Sequence, residues 1–434
     1  MPLQARAAST KAPDYPFGTV YRVEDGRRRV LVLAYFFPPL GGAGVQRALK
    51  FVKYLAPLGW DATVISTRSR IYGVTDSSLL SEVPSNTQVV RTPAVPLLRW
   101  VGIVLYHLRL RRARSWVLWP DNGLGWAPFA LFAALRSVRR ERPDVLLSTS
   151  APYGSHLVAL VVARLTRVPW VADFRDEWAS NPHLADQPRI LKALAMRAER
   201  AITARAQRVV VVANYFTLAG LSPDDPKRLE IVNGVDETDL EIATARPPAD
   251  RFVLAHVGTL YDIQDPTPVV RAIAELEARG EIDARAIELR LVGSLWLTRF
   301  APPPQVRVER VAYVEHKRAV AEMCAATALL LYVAGSSLAP SGKLFEYLAS
   351  GRPLLCVARP DNLASRLVRD WEAGVAADPS DQAAIEAAIL ILWRRWRDGG
   401  LPDQKHVRAR TLELYSRRAG AARLAHVLEE ASAA

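Results

Sequence analysis

RVLVLAYFFPPLGGAGVQRALKFVKYL, residues 29–55, is the stretch that decides the fold. It begins with an apolar, β-branched run, passes through a turn rich in Pro and Gly, and continues with apolar residues every three or four positions. A buried strand that leads through a tight turn into a helix is the repeating unit of a parallel sheet. The stretch therefore predicts a strand, a glycine loop and a helix in that order.

The same alternation continues along the next part of the chain. Helical patterns such as SHLVALVVARLT, residues 155–166, separate short apolar runs that are typical of buried parallel strands. These runs are ATVIST at 62–67, VLLSTS at 145–150, WVADF at 170–174 and RVVVVA at 208–213. Strands alternating with helices indicate a doubly wound α/β domain.

A second series of strands follows a polar segment, residues 227–251. Its runs are RFVLAHVG at 251–258, IELRLVGS at 287–294, ALLLYVAG at 328–335 and PLLCVAR at 353–359. A chain of 434 residues is too long for one ordinary core. We therefore predict an α/β protein with two Rossmann-like domains that face a central cleft.

The predicted domain limits follow from these patterns. Residues 1–28 are expected to be a flexible N-terminal extension, because they lack the apolar stretch of a secretory signal. Residues 29–245 form the N-terminal domain, and residues 246–405 form the C-terminal domain. Residues 406–434 are expected to form a C-terminal helix that packs back toward the N-terminal domain.

Composition narrows the class of protein. The net charge of +13 favours a polyanionic neighbour, such as anionic lipid or a phosphorylated substrate. The two cysteines, Cys324 and Cys356, lie in apolar runs, which argues against a disulfide framework or a structural zinc site. No segment has the roughly 18 uninterrupted apolar residues of a membrane-spanning helix. We expect a cytoplasmic protein that can lie on the inner face of the membrane.

The glycine loop is the first candidate site. Gly42, Ala43 and Gly44 precede a predicted helix whose first amides can bind a phosphate or sugar, although a plain flexible loop has the same pattern. A nicotinamide-binding loop is disfavoured. Arg47 stands where that fingerprint has a third small residue, and Arg68 follows the next strand where it has an acid.

APSGKLFEYLASGRPLL, residues 339–355, is the second candidate site. Ser341 and Gly342 form a turn that opens a helix, with Lys343 in the first turn and Glu346 on the next. Free amides and an ammonium suit a diphosphate, and a carboxylate suits the hydroxyls of a ribose. A capped helix with surface Lys and Glu side chains is the alternative.

Three residues are candidates for catalysis. WVADFRDEW, residues 170–178, ends a strand with Asp173 and Asp176, where α/β sites form. Either carboxylate could take a proton from an acceptor, or pair with Arg175 to order the loop. His156, which follows another strand, is a rival base, although a single His is more often structural.

Residues 96–119 combine apolar and aromatic residues with a cluster of arginines. Trp100, Trp116 and Trp119 suit a membrane interface, and the arginines suit anionic lipid. An amphipathic helix with a solvated Arg face is the alternative. Nucleic acid is not expected as a partner, because no recognition module is present.

The chain resembles family 4 glycosyltransferases, which are retaining enzymes of the GT-B fold. The resemblance rests on ordered segments between about residue 30 and residue 375. They are YFFPPLGGAGVQRALKFVKYL, STSAPYGSHLVAL, WVADFRDEW, NGVD, HVGTLY and the 339–355 segment. The branch is similar to enzymes of polysaccharide or glycoconjugate assembly.

The resemblance implies that residues 29–245 form the acceptor side and that residues 246–405 bind the nucleotide sugar. It also implies roles for the candidate residues. Lys343 and the amides at Ser341 and Gly342 would hold the donor diphosphate, and Glu346 would hold the nucleotide ribose. Gly258 and Thr259 would lie against the donor after the first strand of the second domain, while the Gly42–Gly44 loop would close over the sugar.

Three positions depart from the family pattern. Leu338 stands where the family has the first of two glutamates, and Thr259 and Gln264 stand where it has Arg and Lys. We therefore expect Lys343 to carry more of the diphosphate charge. No Asp-x-Asp sequence occurs, which predicts transfer without a metal and with no cofactor beyond the nucleotide-sugar substrate.

The sequence predicts a hexosyltransferase-type enzyme. A sugar would move, with retention, from a nucleoside-diphosphate donor to a glycan, a lipid-linked acceptor or a small molecule. Two alternatives remain: a sugar-nucleotide epimerase of the same fold, and a non-catalytic scaffold that binds nucleotide or lipid.

Overall fold

The structure is a computed structural model of the 434-residue chain. It describes residues 26–68, 75–95, 97–110, 113, 116–121, 123–181, 187–241, 246–298, 300–333, 342–399, 401 and 403–433.

The first part of the chain forms one parallel sheet with helices on both faces. Its strands lie in the order β3-β2-β1-β4-β5-β6-β7. The elements are β1 (Arg28–Leu33), α1 (Ala43–Leu55), β2 (Trp60–Thr67), β3 (Gln88–Thr92), α2 (Leu97–His107), α3 (Ala127–Glu141), β4 (Val145–Ser150), α4 (Gly154–Thr166), β5 (Trp170–Phe174), α5 (Arg189–Arg205), β6 (Arg208–Val211), β7 (Arg228–Glu230) and α6 (Glu237–Glu241).

The second part repeats this architecture with the order β12-β10-β8-β13-β14-β15, and β9 pairs with β11 in a short ribbon. The elements are β8 (Phe252–Val257), β9 (Leu260–Tyr261), α7 (Thr267–Ala278), β10 (Ile287–Val292), β11 (Leu295–Trp296), β12 (Arg307–Val311), α8 (His316–Ala325), β13 (Ala328–Tyr332), α9 (Gly342–Ser350), β14 (Leu354–Val357), α10 (Leu363–Asp370), β15 (Gly374–Ala377), α11 (Gln382–Arg397), α12 (Lys405–Tyr415) and α13 (Arg417–Ala433). The predicted pair of Rossmann-like units is confirmed.

Each face of the first sheet has its own core. On one face, Ala134 of α3, Val162 of α4 and Ile202 of α5 pack together. On the other face, Leu49 of α1 packs with Leu424 of α13. The apolar stripe of each helix is buried against the sheet, so the loops at the strand ends stay available for chemistry.

The C-terminal segment consists of two helices rather than the single helix that we expected. At Ser416 the backbone is extended, and it pairs with the segment that joins the two sheets. The Val235 amide donates to the Tyr415 carbonyl (2.9 Å), and the Arg417 amide donates to the Val235 carbonyl (2.8 Å). Helix α12 lies beside α9, whereas α13 lies beside α1, so the chain crosses between the two units at Ser416.

The sequence patterns missed strands at or near the sheet edges. QVVRT in β3 and RVERV in β12 are only partly buried, so neither shows a continuous apolar run. The polar segment 227–251 contains β7 for the same reason. In the part of the chain that the structure describes, no helix is both long and apolar enough to cross a bilayer.

Candidate functional site

Both sheets have a topological switch point. In the first sheet the order reverses between β1 and β4, and in the second it reverses between β8 and β13. Ligands of open α/β sheets bind outside the carboxyl ends of the strands at such points. The loops after these four strands therefore define two candidate binding edges.

The glycine loop follows β1 at the first edge. Gly42 precedes α1 with a φ of 89°, and a Cβ built there has no heavy atom within 4 Å. Ala43 and Gly44 open the helix, and Gly44 packs closely against the Phe36 ring. The positive φ requires glycine, and the open space leaves the first helix amides accessible to an anion.

Asp173 lies inside the first domain rather than on its surface. Its carboxylate is completely buried, and Arg47 binds it with two nitrogens at 2.7 and 2.9 Å. The Thr149 hydroxyl donates to the same carboxylate (2.8 Å). Burial and this pairing give Asp173 a structural role here, in contrast to its prediction as a base.

The contacts of Arg47 explain why an arginine, and not a small residue, stands at this position of the glycine loop and helix. It lies under the glycine loop, ties α1 to β5, and reaches the Asn233 side-chain oxygen (3.2 Å) in the connecting segment. From the sequence, Arg47 was recognisable only as a mismatch to the nicotinamide-binding fingerprint. An Arg in the first turns of a helix next to a glycine loop is the sequence signal that could have identified this contact.

His156 is also buried and lies next to Ser148, whose hydroxyl oxygen is 2.7 Å from the imidazole Nδ1. Burial lowers the pKa of His156 to about 3, so the ring is neutral at physiological pH. A buried ring cannot reach an acceptor hydroxyl. In this structure His156 is not placed to act as the base.

Asp176 is exposed, unlike the two other catalytic candidates. It follows Arg175, whose guanidinium donates to the carbonyls of Gly44, Ser150 and Ala151. Arg175 therefore joins the loops after β1, β4 and β5 into one surface. Asp176 is the predicted catalytic residue that the fold presents to the cleft edge, and its role stays a prediction.

Asp121 is a partly buried carboxylate at the same edge, and the sequence patterns did not single it out. It accepts hydrogen bonds from the amides of Gly123 (2.7 Å), Tyr153 and Gly154, and so caps the start of α4. Burial raises the pKa of Asp121 to about 6. Its bonds serve the backbone, which indicates a structural role.

Lys343 is the central residue of the second edge. Its ammonium donates to the Thr259 carbonyl (2.9 Å) and lies 2.9 Å from the His256 Nε2. It lies over Gly258, where a Cβ would come within 2.3 Å of the lysine Cε. Gly258 has a φ of 133°, so both backbone conformation and space require glycine there.

The surroundings of Lys343 determine its charge. Burial lowers the pKa of Lys343 to about 8, and the Glu346 carboxylate opposes that shift. Burial and the lysine charge hold the pKa of His256 well below its ordinary range. Because the His256 Nδ1 faces the Leu330 carbonyl (3.0 Å), it carries the proton, and Nε2 accepts from Lys343.

Other predicted donor residues lie around this lysine. Gly342 begins α9, and Ser341 and Leu338 lie outside the described residues. Gln264 donates to the Tyr332 carbonyl (3.2 Å), so its side chain serves the loop. The structure thus brings Lys343, Gly258 and Thr259 together.

Glu346 lies one turn beyond Lys343 and lines a small cavity between the two units. The cavity is lined by Val235, Asp236, Leu240, His316, Val320, Met323 and Glu346. These residues come from the connecting segment, α8 and α9. Glu346 therefore faces the cleft next to the crossing point of the chain.

A separate depression of about 320 Å³ lies away from both edges and is rich in arginine. It is lined by Arg246, Pro248, Arg251, Arg290 and Ala325. Arg290 pairs with Glu288, Glu309 and Glu322, and Arg251 pairs with Asp250 and Glu288. The carboxylates therefore neutralise Arg251 and Arg290.

Comparisons with known proteins agree with this fold. Residues 41–217 match the family model of the glycosyl transferase 4-like domain. This part of the chain is therefore similar to glycosyl transferase 4-like domains. The match includes the glycine loop and the Asp173–Asp176 segment.

Solved structures show that the fold of the chain is GT-B. Sucrose-phosphate synthase from Thermosynechococcus elongatus aligns with a TM-score of 0.61 at 14% identity, over 93% of this chain and 99% of that chain. Anabaena HepE in complex with UDP and glucose aligns with a TM-score of 0.59 at 16% identity, over 93% and 100%. The calicheamicin glycosyltransferase CalG4 aligns with a TM-score of 0.51 at 17% identity, over 93% and 98%. No curated protein sequence matches the chain.

Proposed function

We propose that the protein is a glycosyltransferase that moves a sugar, with retention at the anomeric carbon, from a nucleoside-diphosphate donor to a glycan, lipid-linked or small-molecule acceptor. The observation that carries the proposal is the Lys343 ammonium at the second switch point, held over Gly258 by His256 and Thr259. HepE, of similar fold, has been solved with UDP and glucose.

The donor diphosphate is placed against Lys343 and the first amides of α9, and Glu346 binds the ribose. As the bond between the anomeric carbon and the phosphate oxygen breaks, negative charge grows on the diphosphate. A fixed ammonium and helix amides stabilise that charge without a metal ion. A desolvated site strengthens this attraction and reduces the competing hydrolysis.

The acceptor enters from the first domain, where the Gly42–Gly44 loop and Asp176 face the cleft edge. The acceptor oxygen forms the new bond to the anomeric carbon, and its proton goes to Asp176 or to the departing phosphate. The Arg175 bonds that join three loops keep this surface in place.

We also infer that the protein works in the cytoplasm and lies on the inner face of a membrane through residues 96–119. Trp100, Val104, Leu108 and Trp116 are exposed in the described part of that segment. Exposed aromatic and aliphatic side chains among arginines suit an anionic lipid surface.

A thermal-shift panel of UDP, GDP, ADP, dTDP, CMP and NAD tests the donor site. A ligand at about 100 times its dissociation constant adds about 2.7 kcal/mol to the free energy of unfolding. One nucleoside diphosphate should stabilise the wild type and lose that effect in Glu346→Gln and Lys343→Ala. Glu413→Gln and Lys405→Ala, at exposed positions of α12, are the matched controls.

Product analysis then separates the proposal from its alternatives. Sugar transferred from the stabilising donor to an acceptor supports the glycosyltransferase activity. Conversion of the donor sugar without an acceptor would instead show an epimerase, and binding without turnover would show a scaffold. Stabilisation by NAD alone would overturn the donor site.

A further inference from the structure

Helices α3, α4 and α5 cover one face of the first sheet, and each presents an outward stripe that the sequence patterns did not single out. On α3 the stripe contains Phe129, Phe132 and Arg136, spaced three and four residues apart. All three side chains are exposed, and Phe132 is 71% exposed. Residues at this spacing share one side of a helix, opposite the buried Ala134.

The two neighbouring helices repeat the arrangement. On α4, Val161 and Leu165 are exposed beside Arg164, and Leu165 is 67% exposed. On α5, Ile190 and Leu194 are exposed and Arg197 follows one turn later. We call the surface formed by these three stripes the outer helix face.

The other face of the same sheet differs. Among their described residues, α1 and α13 expose no large hydrophobic side chain. Single exposed apolar residues are normal, but a group of them on adjacent helices marks an interaction surface. Helix amphipathicity alone therefore does not account for the outer helix face.

The charge of the outer helix face has one sign. Its exposed charged side chains include Arg136, Arg139, Arg140, Arg164, Arg197 and Arg200. The three helices contain two carboxylates, and both turn away from the surface. Glu199 is buried and accepts from the Ala219 amide (2.7 Å), and Glu141 accepts from the Thr63 hydroxyl.

We propose that the outer helix face is a second surface, separate from residues 96–119, through which the protein lies on an anionic membrane. Arginines attract lipid phosphates, and the large apolar side chains enter the boundary between headgroups and acyl chains. A second copy of the chain is a poor occupant, because a two-fold contact sets arginines against arginines. Nucleic acid matches the charge but leaves the apolar stripes exposed to water.

The position of the face also selects an acceptor class. In a parallel sheet each helix starts at the carboxyl edge, so Phe129 and Ile190 lie near the edge that holds the acceptor-side loops. The Val95 amide donates to the Gly125 carbonyl (3.0 Å), which places the start of α2 beside the start of α3. A membrane on this face delivers a lipid-linked acceptor to that edge. This choice of acceptor rests on the proposed transfer reaction, whereas the membrane contact does not.

The test is co-sedimentation of the full-length protein with vesicles of phosphatidylcholine, with and without 30 mol% phosphatidylglycerol. The double variant Phe132→Ser/Leu165→Ser removes apolar contacts, and Arg136→Glu/Arg164→Glu reverses charge. Ile391→Ser, an exposed apolar position on α11 of the second domain, is the matched control. Trp100→Ser measures the separate contribution of α2.

Wild type and Ile391→Ser should bind the anionic vesicles, with weaker binding at high salt and little binding to phosphatidylcholine alone. Each double variant should lower the vesicle partition coefficient at least about tenfold. Thermal unfolding should stay unchanged, because the replaced side chains are exposed.

The proposal is overturned if both double variants bind anionic vesicles as strongly as the wild type does. It is also overturned if the wild type does not bind anionic vesicles. A dimer in light scattering that Phe132→Ser/Leu165→Ser dissociates also overturns it, in favour of a second copy. Nucleotide stabilisation should be the same in all these variants. A failure of the donor site is therefore distinguishable from a failure of the membrane surface.

Discussion

Replacing Lys343 by methionine removes a partly buried ammonium from the second switch point while keeping most of the side-chain volume. Burial lowers the pKa of Lys343 from its ordinary 10.5 to about 8. The unfolded chain therefore binds this proton more tightly than the folded chain, and it carries more protons between pH 8 and pH 10.5. Because of this difference, the free energy of unfolding rises with pH in that window.

The size of the effect follows from the two pKa values. A shift of one unit corresponds to about 1.4 kcal/mol, so the proton of Lys343 contributes a rise of about 2 kcal/mol between pH 7 and pH 9.5. Lys343→Met should lack this rise, whereas Lys405→Met, at an exposed lysine, should keep it. Urea unfolding of the three proteins at both pH values measures the difference.

Donor binding gives a second, independent result for the same variant. A bound diphosphate favours the protonated ammonium, so wild-type affinity for the stabilising nucleoside diphosphate should fall above pH 8, by up to about tenfold per pH unit. In Lys343→Met the affinity should be weaker and should lose this pH dependence. Equal pH profiles in the variant and the wild type, for unfolding and for binding, would refute the reasoning.

Three further predictions concern Asp121, Arg47 and Gly258. Burial raises the pKa of Asp121 to about 6, so its contribution to stability is present below pH 4 and is lost as the pH rises through 6. In the wild type this loss is about 2 kcal/mol of the free energy of unfolding between pH 4.5 and pH 7.5, measured by urea unfolding, and Asp121→Asn should lack it. The same pH profile in the variant and the wild type would contradict this prediction. Arg47→Met leaves a buried carboxylate unpaired and should cost about 3–5 kcal/mol, which calorimetry would detect as a large fall in Tm. Gly258→Ala should displace Lys343 and weaken nucleotide stabilisation, whereas Gly280→Ala, with a positive φ but open space, should leave nucleotide stabilisation intact.

Local patterns in the sequence were enough to predict the architecture. Buried parallel strands are continuous apolar runs, so segments such as VLLSTS and ALLLY were recognisable without any tertiary information. Strands near the sheet edges, such as β3, are half-exposed and carry polar residues, so their pattern resembles that of a loop. The break at Ser416 also escaped prediction, because it depends on pairing with Val235, which is far away in the chain.

The residues of the candidate site also divide into features that the local sequence predicts and features that it does not. The sequence by itself determined which residue types follow the strands: glycines after β1, and a lysine at the start of α9 after β13. Only the tertiary structure decided which of them are accessible. Asp173 and His156 are buried, Asp176 is exposed, and Lys343 lies against a histidine 87 residues away.

The physical reason is that burial and pairing are non-local. A carboxylate or an imidazole has the same identity in the sequence whether it faces solvent or an arginine, but its pKa and its reach depend on neighbours from other strands. The stripes of the outer helix face illustrate the same point, because each apolar residue in them has the spacing of a core residue. Only packing of the opposite side of each helix against the sheet shows that these side chains face outward.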